Sequence, residues 1–96
     1  MGVALEQYEE TYRDVGHPER VRILVFLLGR PNTSPTYYWR LLDREGPSMN
    51  MVSHHFVHLR KKNLIEETDF RRVRGAVEHF YSVTERGAQL AKTYAS

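Results

Sequence analysis

The 96-residue chain contains no cysteine. This excludes disulfide bonds, cysteine-based zinc sites and a thiol nucleophile, and we expect a reducing, cytoplasmic setting. Long apolar runs are missing too, because the longest, VRILVFLL, is too short to cross a bilayer. The N-terminal stretch EQYEETYRD is charged and has no apolar core, so we expect no secretory signal. A net charge of only +2 gives little overall attraction for a polyanion.

The charges that are present are unevenly distributed along the chain. Residues 1–20 hold five acidic side chains and two arginines, whereas residues 54–74 hold six basic side chains, three acidic ones and three histidines. The length corresponds to a single domain, 1–96, with a modest core that a partner often completes. The basic half of the chain is therefore the first place to look for a function.

Apolar periodicity predicts two helices in the first third of the chain. One runs over about 3–14 and carries an apolar stripe of Leu5, Tyr8, Tyr12 and Val15. The next begins with Pro18 at a first helical position and should end at Gly29, in a left-handed cap before Pro31. This second helix is apolar nearly all round, which predicts that it is the central buried one.

Two further helices should form a helix-turn-helix over about 36–62. The first starts near Pro35 and ends by Gly46, and the second has Ser48 as its N-cap and runs to about Lys62. Asn63 then suits the left-handed conformation that ends a helix. In the second of these helices the predicted inward face is Val52, His55, Phe56 and Leu59.

The periodicity changes after this point and predicts a β-hairpin over about 64–83. LIEETDF and VEHFYSV suit strands, and RRVRGA between them reads as a basic loop with Gly75 at a turn position. A last helix over about 85–95 follows, with Thr84 as N-cap. Its inner stripe should be Ala88, Ala91 and Tyr94. The resulting mainly α (α+β) order, four helices, a hairpin and a helix, is that of a winged helix-turn-helix.

Three segments resemble ArsR-type winged-helix transcriptional regulators. HPERVRIL resembles the family opening HPxRxRIL, VSHHFVHLRKKNLIEE resembles its recognition helix, and RGAVEHFYSVTERG resembles its wing and last helix. The resemblance covers roughly residues 17–90. It departs from the family pattern at Asn63 in place of Gly, at Phe56 in place of Leu, and at Glu45 in place of an apolar residue. It implies a homodimeric, repressor-like regulator that binds an inverted repeat of duplex DNA.

The residue types of the recognition helix and wing suit contacts with DNA. Asn pairs with adenine edges, Met and Val touch thymine methyl groups, and a helix N-terminus or a basic side chain binds phosphate. The candidate DNA-binding residues are Ser48, Met49, Asn50, Ser53, His54, Val57, Arg60, Lys61, Arg71, Arg72 and Arg74. Plain capping explains Ser48 equally well, and the helix dipole explains Arg60 and Lys61. The three wing arginines repel one another with no gain unless a polyanion binds.

The resemblance also implies dimerisation through the first and last helices. Candidate interface residues are Leu5, Tyr8, Tyr12, Leu90 and Tyr94. The alternative is that both helices pack only on their own core. A two-fold dimer would place two recognition helices about one duplex turn apart.

Other functions find less support in the residues. His54 and His58 have the i, i+4 spacing of a metal pair, but no third ligand is evident, so no metal and no cofactor are expected. No catalytic motif occurs, so an enzyme is not expected. Two alternatives stay open: a winged helix kept as a protein-interaction module, and a regulator that senses metal or pH through its histidines. Any small-molecule effector is left unidentified.

Overall fold

The computed structural model describes residues 15–43 and 45–95. Within them four helices and a two-stranded antiparallel hairpin follow one another in the order of a winged helix-turn-helix, as predicted. The elements are α1 Pro18–Gly29, α2 Pro35–Arg40, α3 Met49–Lys61, β1 Ile65–Val73, β2 Ala76–Val83 and α4 Glu85–Ala95. None of the described helices is long and apolar enough to span a bilayer.

Each helix begins where a side chain accepts a hydrogen bond from a free backbone N–H of the first turn. The predicted caps are confirmed, because Ser48 Oγ accepts from Met51 N at 3.2 Å and Thr84 Oγ1 from Gly87 N at 3.1 Å. Two further caps were not predicted. They are His17, which accepts from Glu19 N at 3.0 Å, and Ser34, which accepts from Tyr37 N at 3.1 Å.

Helix α1 lies at the centre of the core, as its apolar sequence predicts. Ile23, Leu24 and Leu27 are fully buried. They belong to one cluster with the predicted inward residues Val52, Phe56 and Leu59 of α3 and with Val15, Tyr38, Leu64, Ile65, Tyr81 and Ala91. The recognition helix is thus held against α1 by its apolar face, and its other face is left for the outside.

A buried polar contact joins α1 to α2. Glu19 is 5% exposed, and its carboxylate accepts hydrogen bonds from the Tyr38 hydroxyl at 2.6 Å and from Arg22 Nη1 at 3.0 Å. Burial, together with the Glu19 hydrogen bond and charge, raises the pKa of Tyr38 above its ordinary value. Tyr38 therefore remains the donor, and the bond fixes α2 beside the central helix.

One predicted helix end and one predicted cap conformation are wrong. Helix α2 stops at Arg40 rather than near Gly46, because Leu41 N and Leu42 N donate to carbonyls only three residues back, at 3.1 Å each. This tighter turn lets Leu42 pack against the core while the chain bends towards α3. Gly29 is not a left-handed cap but the last residue of α1, and the left-handed residue after Pro31 is Asn32, with φ 59°.

The hairpin has the predicted extent, but β1 is longer than predicted, because Arg71, Arg72 and Val73 belong to the strand rather than to a loop. The turn is confined to Arg74 and Gly75, with φ values of 50° and 82°, so the predicted turn position of Gly75 is confirmed. An irregularity of register lies between Glu67 and Asp69. A further backbone bridge, between Thr33 and Tyr81, ties the loop before α2 to the hairpin; the composition of that loop did not predict it.

The predicted left-handed residue Asn63 is confirmed at φ 58°, and it turns the chain from α3 into the buried start of the hairpin. The predicted helix over about 3–14 lies outside the described residues.

Candidate nucleic-acid interface

Helix α3 presents a continuous row of side chains on the side opposite its buried face. Successive helical residues rotate by about 100°, so positions four, seven and eleven beyond residue 50 fall on one line. These residues are all exposed, and we call them the outward row: Asn50, His54, Val57 and Lys61. Val57 is 47% exposed although its side chain is apolar. The row combines an amide, an imidazole, an apolar group and a cation, which are the groups that contact base edges and phosphates.

Met49 and Ser53 lie beside this row and are half-buried rather than fully outward. Both line a groove between α3 and the hairpin, which we call the helix–wing groove, of about 430 Å³. On the hairpin side the groove is lined by Val73, Val77 and His79 among others. These two residues therefore face the wing as well as the outside, which the helical periodicity alone did not show.

Met51 is a candidate that the sequence reasoning missed. It is 50% exposed and lies in the first turn of α3, directly after Asn50 and rotated from it by about 100° around the helix. Its residue type and its position in the first turn of the helix were the features of the sequence that could have identified it as a candidate. The Ser48 hydroxyl is engaged by Met51 N, so Ser48 offers a partner chiefly the remaining free N–H groups of the helix start.

The basic residues that end α3 are exposed. Arg60 and Lys61 belong to its last turn, and Lys62 caps it. Their charges also complement the negative end of the helix dipole, so their position is favourable before any partner binds.

The three wing arginines occupy different environments. Arg71 Nε donates to Glu78 Oε1 at 2.7 Å, and the Arg71 guanidinium lies over the Phe80 ring at 5.6 Å. The prediction that nothing offsets the repulsion among these arginines is therefore wrong for Arg71. Arg72 pairs across the hairpin with Val77, which lines the helix–wing groove, so Arg72 lies on the groove side.

Arg74 is the exposed first residue of the two-residue turn. Its left-handed φ of 50° is unusual for a residue with a side chain, and such conformations concentrate at functional positions. Arg72 and Arg74 are consequently the two wing arginines that the hairpin presents at its groove side and tip.

A second basic cleft lies on the other side of the hairpin and was not predicted. Its volume is about 460 Å³, and Arg30, Arg40 and Arg71 line it together with Tyr37 and Glu78. Arg30 Nη1 donates to the Tyr37 hydroxyl at 2.5 Å. Basic residues flanking the predicted helix-turn-helix were the only sequence signal for this cleft.

The histidines are divided between the faces of α3. His55 is buried at 4% exposure, as predicted, whereas His54 is exposed. On the wing, His79 Nδ1 contacts Glu67 Oε1. Within residues 15–43 and 45–95, no three His, Asp or Glu side chains converge in a way that could hold a metal ion.

The last helix contributes to an apolar groove on the opposite side of the domain. Tyr94 lines it with Val25, Phe26 and Leu41, in a space of about 540 Å³. Leu90 packs against the core. The other proposed dimer residues, Leu5, Tyr8 and Tyr12, lie outside the described part of the chain.

Comparison with solved structures identifies a similar fold. The chain superposes with a TM-score of 0.66 and 27% identity on the crystal structure of the predicted DNA-binding transcriptional regulator from E. coli. The match covers 98% of this chain and 92% of that one. No protein-family model matches the chain, and no curated protein matches it.

Proposed function

We propose that the protein is a transcriptional regulator that binds specific sequences of double-stranded DNA through α3 and the wing. The observation that carries this proposal is the outward row. One helix buries a full apolar face against the core and presents an amide, an imidazole and a cation in line on its opposite face. The likeness to the E. coli regulator, which is described as DNA-binding, supports the same function.

We assign different contacts with DNA to α3 and to the hairpin. Helix α3 would enter the major groove with Asn50 and His54 towards the base edges. Arg72 and Arg74 would reach the neighbouring minor groove or its phosphates, because narrow minor grooves concentrate negative potential. Arg60 and Lys61 would contact the phosphate backbone of the DNA and so fix the position of the protein along the duplex.

Charge placement explains how a chain of net charge +2 can bind a polyanion. The basic side chains of α3 and the wing form one local field, and local field rather than net charge steers a polyanion. Phosphate contacts of this kind release counterions, so the affinity must fall steeply with salt.

We further propose an ArsR-like homodimer that binds an inverted repeat and acts in the cytoplasm as a repressor does, by occupying the duplex. The apolar groove at Tyr94 supports a partner at that end of the domain, because large apolar surfaces often mark protein–protein contacts. Two-fold symmetry would then relate two copies of α3.

The test begins with selection of bound sequences from a random duplex pool, followed by affinity measurement over a salt series. With about four cations contacting phosphate in each of two protomers, log K should fall with log salt at a slope near −7. Selection without enrichment of any sequence would contradict specific DNA binding and favour the alternative of a protein-interaction module.

A matched pair of variants tests the role of the outward row. Asn50→Ala should weaken binding of the selected site by about 1–3 kcal/mol per half-site and relax the preference at one base pair of each half-site, because each protomer loses a bidentate amide contact. Binding to unrelated duplex should change little. Gln89→Ala, which removes an exposed amide from α4, is the control and should leave both affinities unchanged.

A further inference from the structure

One side-chain hydrogen bond joins the buried face of the recognition helix to the start of α1. Arg20 Nε donates to Nδ1 of His55 at 3.0 Å, and Arg20 Nη1 donates to the Val15 carbonyl at 3.2 Å. His55 is only 4% exposed. Arg20 thus ties α3 to α1 and to the residue at which the described chain begins.

The donor determines the protonation state of His55. A guanidinium has donors and no acceptor, so Nδ1 of His55 must carry a lone pair. The neutral ring then has its proton on Nε2, which is buried without a hydrogen-bond partner among the described residues. The His17 ring lies nearby, tilted by 37° to the His55 ring with 4.6 Å between the ring centroids, and it too accepts at Nδ1, from Glu19 N at 3.0 Å.

Acid breaks this arrangement, because an imidazolium carries a proton on both nitrogens. A proton on Nδ1 of His55 would point at the Arg20 N–H and place two positive groups in contact.

The surroundings of His55 mostly disfavour its charged form. Burial is the largest effect and lowers its pKa, and the neighbouring His17 and Arg20 lower it further, with a smaller contribution from His54 on the same helix. Only Glu19 acts in the opposite sense. The Glu19 carboxylate is already engaged by Tyr38 and Arg22, so its negative charge is shared with other donors.

We propose that the Arg20–His55 hydrogen bond positions the recognition helix against α1 and that acid releases it, so that duplex binding weakens as the pH falls. The proposal rests on the function proposed above. Arg20 and His55 are positioning residues, since neither belongs to the outward row. The duplex-competent arrangement of α3 becomes less populated when the bond is lost, and the apparent affinity falls by that fraction.

The direction of the pH effect follows from the lowered pKa. Above the unfolded-state value of about 6.5 both states hold neutral His55, and the stabilisation is complete. Below it the unfolded chain takes up the proton first, so stability is lost progressively as the pH falls through the folded-state pKa.

The experiment compares wild type with three variants at pH 7.5 and pH 5.0 and at constant ionic strength. His55→Asn keeps an acceptor near the Nδ1 position but does not titrate. His54→Asn is the matched control, because His54 is the neighbouring, exposed imidazole. Arg20→Met removes the donor and keeps an apolar stem. Urea unfolding and affinity for the selected duplex are measured for each protein.

Between pH 7.5 and pH 5.0, the unfolding equilibrium constant of wild type should rise several-fold more than that of His55→Asn, because the unfolded chain takes up a proton at His55 more readily than the folded chain does. The duplex dissociation constant should likewise rise more for wild type than for His55→Asn, because the duplex-competent arrangement of α3 becomes less populated. The His54→Asn protein should retain the stability change of wild type. Arg20→Met should raise the unfolding constant at pH 7.5 by about fivefold for each of the two hydrogen bonds lost, to His55 and to the Val15 carbonyl, and by less at pH 5.0, where only the bond to Val15 remains to be lost.

Equal pH dependence of stability in wild type and His55→Asn would overturn the proposal. If His55→Asn does not fold, NMR titration of wild type decides, and a His55 pKa at or above about 6.5 overturns it. If no protein binds duplex at either pH, the proposed function and the duplex part of the inference fall together. The stability difference then still decides whether the Arg20–His55 contact is a pH-dependent one.

Discussion

At the scale of single residues, a close approach between two backbone segments depends on Gly87. A Cβ built on Gly87 would lie 1.9 Å from the Leu64 carbonyl oxygen, which also accepts a hydrogen bond from Thr84 N at 3.1 Å. The first turn of α4 therefore rests directly on the backbone where α3 leads into β1. Only glycine permits this approach, because any side chain would meet a backbone atom that cannot move aside.

Gly87→Ala should accordingly lower the free energy of unfolding by about 1–3 kcal/mol through overpacking. Gly29→Ala is the control, since a Cβ there meets nothing within 4 Å and alanine is the better helix former. Its effect should be neutral or stabilising by up to about 1 kcal/mol. Urea unfolding monitored by circular dichroism measures both. A Gly87→Ala protein as stable as wild type would contradict the close approach of α4 to Leu64.

The histidines of α3 differ in burial because of their positions around the helix. They are nearly adjacent in sequence, but the 100° rotation per residue sends His55 into the core and His54 outward. The identity of the partner, Arg20, depends on tertiary contact over 35 residues of chain. Sequence reasoning placed His55 inside and could not assign its hydrogen bond.

At the scale of elements, the hairpin separates arginines that look equivalent in the sequence RRVRG. Arg71 is paired with Glu78 on one face, Arg72 lies beside Val77 on the groove face, and Arg74 occupies the turn. The pairing of the exposed Arg71 with the half-buried Glu78 is worth little in stability, but it occupies the guanidinium.

The double substitution of Arg72 and Arg74 by Ala should therefore raise the duplex dissociation constant by roughly tenfold or more and reduce the salt slope by about 2 per protomer. Arg71→Ala serves as the matched control within the same strand and should change the slope by less than 1. Fluorescence anisotropy over a salt series measures both. If Arg71→Ala lost as much duplex affinity as the double variant, the two faces of the hairpin would not differ in their contribution to DNA binding.

Three large apolar side chains of the hairpin are exposed to solvent. Phe70 is 60% exposed, and Val73 and Val77 are also largely exposed near the tip. In a DNA complex such residues contact sugar and thymine methyl groups, and in a protein-interaction module they would contact an apolar partner. The arginine variants of the wing distinguish these two uses, because the arginines dominate the free energy of binding only when the partner is DNA.

At the scale of the whole molecule, the domain has two exposed surfaces of different character. The side formed by α3 and the wing carries basic side chains among polar and apolar ones, whereas the groove at Val25, Leu41 and Tyr94 is mainly apolar. Leu41 is 55% exposed in the described chain. This separation suits a protein that binds duplex on one side and a second copy on the other.

We expect sedimentation equilibrium to show a dimer at micromolar concentration, and a selected site with two half-sites to bind two protomers. Leu41→Glu and Tyr94→Glu, which place charge in the apolar groove, should shift the equilibrium towards monomer and weaken binding of the two-half-site duplex much more than binding of a single half-site. Phe70→Glu, on the exposed wing, is the control for adding a charge and should leave the dimer intact. A monomeric wild type would contradict the homodimer.

The amino-acid sequence by itself determined the order of elements, the caps at Ser48 and Thr84, the turn at Gly75, the left-handed Asn63 and the inward face of α3. These depend on local backbone preferences and on periodicity, both of which act over a few neighbouring residues. The tertiary structure decided the early end of α2, the extension of β1 through Arg71 and Arg72, and the Thr33–Tyr81 bridge. It also decided the partners of Arg71, Glu19 and His55, because hydrogen bonds between distant residues are selected only when the core brings their elements together.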